Sequence, residues 1–159
     1  MAERVLVACV GNVLRRDDGF GVAVADYLSR DGTLPPGVDV IETGTGGIGI
    51  VHQLMEGYES LVVVDTVDRG ATPGAVFVLE PEVPEPTTFD VDAWRERFSN
   101  LHLTEPSRVF LLAKAVGVLP RRVRIVGCQP LDCDDLGEGL TPQVAAAVEV
   151  AVAKVRELI

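Results

Sequence analysis

The sequence predicts an α/β protein: a three-layer sandwich with helices on both faces of a mostly parallel, five-stranded sheet that has one antiparallel edge strand. Three observations lead there. Short Val-rich runs such as V-L-V-A-C-V and L-V-V-V lack polar alternation, as strands buried on both faces do. Stretches with apolar residues at helical spacing separate these runs. One gap between strands is too short to hold a crossover helix, which forces an antiparallel neighbour at an edge.

Taken in order, residues 4–10 form a buried strand that stops at Gly11-Asn12, a turn signal. Residues 20–28 carry Phe20, Val24, Tyr27 and Leu28 at helical spacing, with Asp18 placed to cap that helix. T-L-P-P-G breaks the chain, and residues 38–41 form a second strand. Glycines follow at 44, 46, 47 and 49, then a helix carrying Ile50, Val51, Leu54 and Met55. Residues 61–65 form a third strand and 75–79 a fourth, the antiparallel edge. Residues 81–100, rich in proline and acid, read as an irregular excursion with a short helix around Trp94. A helix over 106–116, a strand over 122–128, a loop over 129–139 and a final helix over 141–159, opened by a proline in its first turn, complete the chain. Without repeats or a linker, residues 1–159 are expected to form a single domain.

Composition narrows the function. Apolar residues make up 47%, yet no run approaches the ~18 needed to span a bilayer. The N-terminal M-A-E-R is too short for a signal peptide before the first strand begins. Three cysteines without paired spacing argue against a disulfide framework and for a reducing, cytoplasmic setting. A net charge of −10 argues against nucleic acid or an anionic membrane as partner.

Three separated stretches end in polar residues that a packed core would not choose. They are the Asp17-Asp18 pair in G-N-V-L-R-R-D-D-G-F-G, Asp65 closing the third strand, and His102 in S-N-L-H. Strands that stop at an acid deliver it to the carboxyl edge of a parallel sheet, where α/β proteins place their sites. Two carboxylates and an imidazole are also a set of metal ligands. Each has a plainer reading: an acid before a helix caps it, a strand-end acid makes a turn, and a single histidine is commonly a surface residue. His52, inside a helix, is read as such a residue. G-T-G-G-I-G (residues 44–49), with Asp65 about 20 residues further on, also has the spacing of a dinucleotide site. Against that, Glu42 would repel a diphosphate, and the motif follows the second strand. No G-x-S-x-G elbow and no H-E-x-x-H motif is present. Cys9, Cys128 and Cys133 lie in or just beyond apolar strands, and the last two could reach the same sheet edge.

These residues together resemble the [NiFe]-hydrogenase maturation proteases. V-G-N-V-L-R-R-D-D-G-F-G is similar to the family's first signature, G-T-G-G to its glycine-rich segment, and L-V-V-V-D-T-V to the strand with its second acid. P-G at 73–74, S-N-L-H with L-L-A-K-A-V-G-V-L-P, and V-G-C-Q-P with G-L-T-P-Q-V resemble the remaining motifs, in order along nearly the whole chain. Thr43 stands where many relatives have glycine.

The resemblance implies an aspartyl-type endopeptidase that removes the C-terminal extension of the hydrogenase large-subunit precursor after nickel insertion. It implies a catalytic and metal-contacting set of Asp18, Asp65 and His102, with Gly44, Thr45, Gly46 and Gly47 as a substrate loop. The nickel is implied to travel with the substrate, with no tightly bound resting metal, and the protease to be a cytoplasmic monomer. Two alternatives stay open: a non-catalytic, nickel-checking maturation chaperone, and a small dinucleotide-binding protein.

Overall fold

The computed structural model describes residues 2–98 and 105–159. Its strands are β1 (Val5–Cys9), β2 (Val38–Glu42), β3 (Ser60–Thr66), β4 (Val76–Leu79) and β5 (Arg122–Cys128). The helices are α1 (Phe20–Asp31), α2 (Ile48–Leu54), α3 (Val91–Phe98), α4 (Pro106–Ala115) and α5 (Pro142–Leu158). The strands lie in the order β2-β1-β3-β5-β4, all parallel except β4, which runs antiparallel to β5. This is the predicted architecture, including the antiparallel edge and the short helix that contains Trp94.

Alternation along the buried strands divides the core into two layers. Val5, Val7, Cys9, Val62 and Val64 pack with Phe20, Val24 and Leu28 of α1 and with Val144, Ala151 and Val155 of α5. Leu6, Ala8, Leu61 and Val63 pack on the other face with Ile50 and Leu54 of α2 and Val109 and Phe110 of α4. Phe20 and Phe110 are the largest fully buried side chains, one in each layer. Burying each contributes about 1.5–3 kcal/mol.

Proline opens both α4 and α5, where the missing N–H has no intrahelical partner to lose. Gly32 ends α1 in the left-handed conformation, with φ 62°. Among the described residues, no helix is long and apolar enough to cross a membrane.

The seat of α1 on the sheet is unusually close. A Cβ on Gly21 would stand 2.2 Å from the Val10 carbonyl oxygen and 2.9 Å from that of Val64. Only glycine lets the first turn of α1 approach the ends of β1 and β3 so closely, because the obstacles are backbone and cannot swing away. We expect Gly21→Ala to lower unfolding free energy by about 1–3 kcal/mol through overpacking, read as an earlier urea midpoint with an unchanged m value.

Candidate active site

Strand order fixes where a site can form. The chain leaves β1 toward β2 on one side, whereas β3 leads to β5 and β4 on the other, so the order reverses between β1 and β3. A crevice opens outside the carboxyl ends at such a switch point. The segment after β1 carries Asp17 and Asp18, and β3 ends in Asp65 and Thr66. Asp65 pairs with Gly127 of β5, one step beyond the last β1 pairing, Cys9 with Val64.

The two acids after β1 have different fates. A short 3-10 turn, Arg16–Gly19, precedes α1, and Arg16 enters it at φ 50°, an uncommon conformation for a residue with a side chain. Asp17 is fully buried. Its carboxylate accepts hydrogen bonds from the backbone N–H groups of Leu131 (2.8 Å), Asp132 (3.0 Å) and Thr141 (2.7 Å), and from the Thr141 hydroxyl (2.9 Å). Burial pushes its pKa up, but these donors outweigh burial and hold it below the usual aspartate value.

Asp18 is half-buried beyond the end of β1. Its Oδ2 accepts from the Asn12 N–H (3.2 Å), and its Oδ1 lies 3.4 Å from the Thr66 hydroxyl, a long contact. It does not cap α1 as its sequence position suggests: Gly19 occupies the cap position without a side-chain bond. The intervening 3-10 turn carries the Asp18 carboxylate over the sheet edge instead.

Asp65 is buried, and its Oδ1 accepts one bond, from the Thr66 N–H at 2.8 Å. Burial, reinforced by the charge of Asp18, raises its pKa to about 7, against the smaller lowering effect of Thr66. Thr66 therefore touches both acids, through its amide to Asp65 and its hydroxyl to Asp18. The half-buried Cys133 belongs to the same cluster. Its thiol is raised to about 11, first by burial and next by Asp18, and it also interacts with the Thr66 side chain. Cys128 is fully buried beneath, its thiol likewise raised to about 11. A cysteine nucleophile needs a thiolate, which these surroundings disfavour.

The structure thus brings together Asp18 and Asp65. His102 lies outside the described residues. His52 is exposed on α2. Among the described residues, no three His, Cys, Asp or Glu side chains group closely enough to hold a metal ion. The Gly44-Thr45-Gly46-Gly47 loop follows the edge strand β2 and is strapped to the acid-bearing segment, since the Gly11 N–H donates to the Gly44 carbonyl (3.0 Å). Gly11, Val13, Glu42, Gly44 and Thr45 line part of a cleft of about 300 Å³ there, beside Asn12. Sequence reasoning missed Thr66 and the anchoring of the loop 131–141 on Asp17. Thr66 carried a weak signal as a hydroxyl next to a strand-end acid. Cys133 and the motif holding Thr141 marked the loop, but its contacts with Asp17 left no local signal, because they span more than a hundred residues.

Fold and site together define a doubly wound α/β protein with two carboxyl groups at its switch point. A profile of the hydrogenase maturation proteases matches residues 22–157. The chain is 37% identical over 158 residues to the hydrogenase expression/formation protein HupD of Rhodobacter capsulatus, covering 98% of this chain and 71% of that protein. Among solved structures, it resembles the hydrogenase maturating endopeptidase HybD of E. coli, with TM-score 0.76, 28% identity, and coverage of 96% of this chain and 89% of that one. It also resembles a hydrogenase 2 maturation peptidase from a Thaumarchaeota archaeon, with TM-score 0.69, 36% identity, and coverage of 98% and 97%. The chain belongs to the hydrogenase maturation protease family.

The Asp65 environment has a consequence for stability. An unfolded aspartate titrates near ~3.9, whereas folded Asp65 keeps its proton up to about 7. Between those values the native state binds more protons, so this contribution is complete below about pH 4 and lost as pH rises toward 7. In chelator, we expect unfolding free energy to fall by roughly 2–4 kcal/mol across that interval, and Asp65→Asn to remove most of the slope. Asp17, with its lowered pKa, acts in the opposite sense, and its contribution is lost only below about pH 4. Urea midpoints at pH 5 and pH 8 for both proteins check this.

Proposed function

We propose that this chain is the endopeptidase that trims the C-terminal extension from a [NiFe]-hydrogenase large-subunit precursor once nickel has been inserted. The observation that carries the reading is the meeting of Asp18 and Asp65 across Thr66, at the switch point of a fold that belongs to a maturation protease family. The nickel is part of the substrate. Two carboxylates from separate segments offer oxygen donors and leave most of a coordination sphere to the precursor's own ligands. Nickel reached in this way can polarise the scissile carbonyl or activate a water.

His102 is the proposed third donor. Asp65 has the same strand alternation as Leu61 and Val63, whose face is covered by α4, and the segment bearing His102 immediately precedes α4. The Gly44–Gly47 loop is proposed to receive the precursor's extended tail. Its place after an edge strand supports that role over a pyrophosphate cradle, which belongs beside the switch point. Three free cysteines support a reducing, cytoplasmic setting.

The test is to incubate the purified chain with nickel-loaded and nickel-free precursor and follow precursor mass. We expect shortening of the loaded form alone, and a protease that is metal-free as purified. Asp18→Ala, Asp65→Ala and His102→Ala should each cut the rate by at least ~100-fold with native circular dichroism, because Asp18 and Asp65 stand outside both hydrophobic core layers. Equal cutting of the nickel-free precursor would overturn the nickel requirement. Tight precursor binding with no loss of mass would identify a non-catalytic checkpoint instead. Saturable NAD, FAD or ATP binding that is abolished by Gly46→Val would restore the dinucleotide reading.

A further inference from the structure

Asp17 contributes nothing directly to the proposed chemistry: it is fully buried, and its carboxylate is occupied by hydrogen-bond donors. A buried carboxylate is retained only where its lone pairs are filled, and here three amides and one hydroxyl fill them. Those donors come from both ends of the segment between β5 and α5. Leu131 and Asp132 lie at its start, and Thr141 at the entry to α5.

Further backbone bonds surround this anchor. The Asp17 N–H donates to the Asp132 carbonyl (2.9 Å), the Arg16 N–H to the Gly137 carbonyl (3.0 Å), and the Gly137 N–H to the Leu14 carbonyl (2.9 Å). The segment is therefore fastened to the acid-bearing turn on both sides of Cys133, whose thiol lies with Asp18 and Thr66. The same fastening holds the turn itself, so it sets where the neighbouring Asp18 carboxylate stands.

We propose that Asp17 is a positioning residue for the cleavage reaction, fixing the Asp18 carboxylate and the Cys133 loop in one arrangement against Thr66. This rests on the reading that Asp18 belongs to the cleaving site.

Asp17→Asn is the discriminating change. It keeps the shape, but replaces one acceptor oxygen with an NH2 group that must face N–H donors. Either the Leu131–Asp132 amides or the Thr141 amide then lose their acceptor. In protein shown to be folded by circular dichroism, and held well below its melting temperature, kcat for nickel-loaded precursor should fall at least ~10-fold with KM within about twofold. A second readout needs no substrate: iodoacetamide modification of Cys133, followed by mass spectrometry under native conditions, should quicken at least ~5-fold as the loop loosens. Cys9 and Cys128 are fully buried and serve as internal controls.

Unchanged kcat in folded Asp17→Asn overturns the proposal. So does a loss of kcat with no change at Cys133 that is recovered by cooling, since that pattern reports stability alone. If Asp17→Asn does not fold, Thr141→Val removes only the hydroxyl donor and should move both readouts in the same direction by about two- to threefold. No movement there overturns the proposal as well. If wild-type protein fails to cut any precursor, the proposed function falls, while the Cys133 rates still decide whether Asp17 holds the loop.

Discussion

The carboxylate of Asp17 is the junction on which the carboxyl edge of this sheet depends. Strands and helices place the ends of β1, β3 and β5 side by side, but the chain beyond each of those ends is loop, and loops need their own restraints. One buried charge supplies them, filled by donors from Leu131, Asp132 and Thr141. Charge-assisted bonds of this kind are stronger than neutral ones. A second, neutral junction works alongside it. The buried Gln129 side chain accepts from the N–H groups of Arg69 and Ala71 through Oε1, and donates to Asp68 through Nε2. Between them, Asp17 and Gln129 attach the segments after β1 and β3 to the segment after β5.

That attachment lets three nearby acids do different things. Asp17 has enough donors to remain charged in the interior. Asp65, also removed from water, has one amide and the repulsion of Asp18, and holds its proton to about pH 7. Asp18 is half-buried, in contact with Asn12 and Thr66. Separation of carboxyl groups by environment is how one site holds both proton-bearing and charged oxygens at neutral pH. Strand alternation adds a spatial division. Asp65 follows the register of Leu61 and Val63 toward the α2–α4 layer, and Thr66 that of Val62 and Val64 toward the α1–α5 layer. The site therefore straddles the end of β3 and draws on both layers.

Much of this architecture is legible in the chain itself. Strands without alternation, the short gap before Val76, and prolines opening α4 and α5 are local signals, and the elements they announce are present. Asp65 was legible because an acid at the end of an apolar strand can go nowhere but the sheet edge. The division of labour between Asp17 and Asp18 was not legible from spacing. Both precede a helix, and the usual inference is a cap, yet neither caps α1. Contact with residues 131–141 separates them, and that contact is set by tertiary packing, invisible to any window along the sequence. Cys133 was legible in part. Its place just beyond the fifth strand put it within reach of the sheet edge, and five residues of loop carry it from the sealed strand end, where Cys128 stays, to a half-buried position with Asp18 and Thr66.

The glycine-rich loop shows how topology weighs on a choice that a motif leaves open. G-T-G-G-I-G and an acid on the next strand satisfy the spacing of a dinucleotide site, and spacing alone cannot reject it. In the sheet, however, that loop follows β2, an edge strand, while the reversal of strand order lies between β1 and β3. The helix it opens, α2, has only seven residues, and Glu42 stands exposed immediately before the loop. An anion there would meet a carboxylate and a short dipole, a poor exchange for its hydration. The cleft beside the loop is instead lined by Val13, Val22 and Glu42, and in part by Asn12, whose N–H is bound to Asp18. A surface of that kind is poorly suited to a diphosphate.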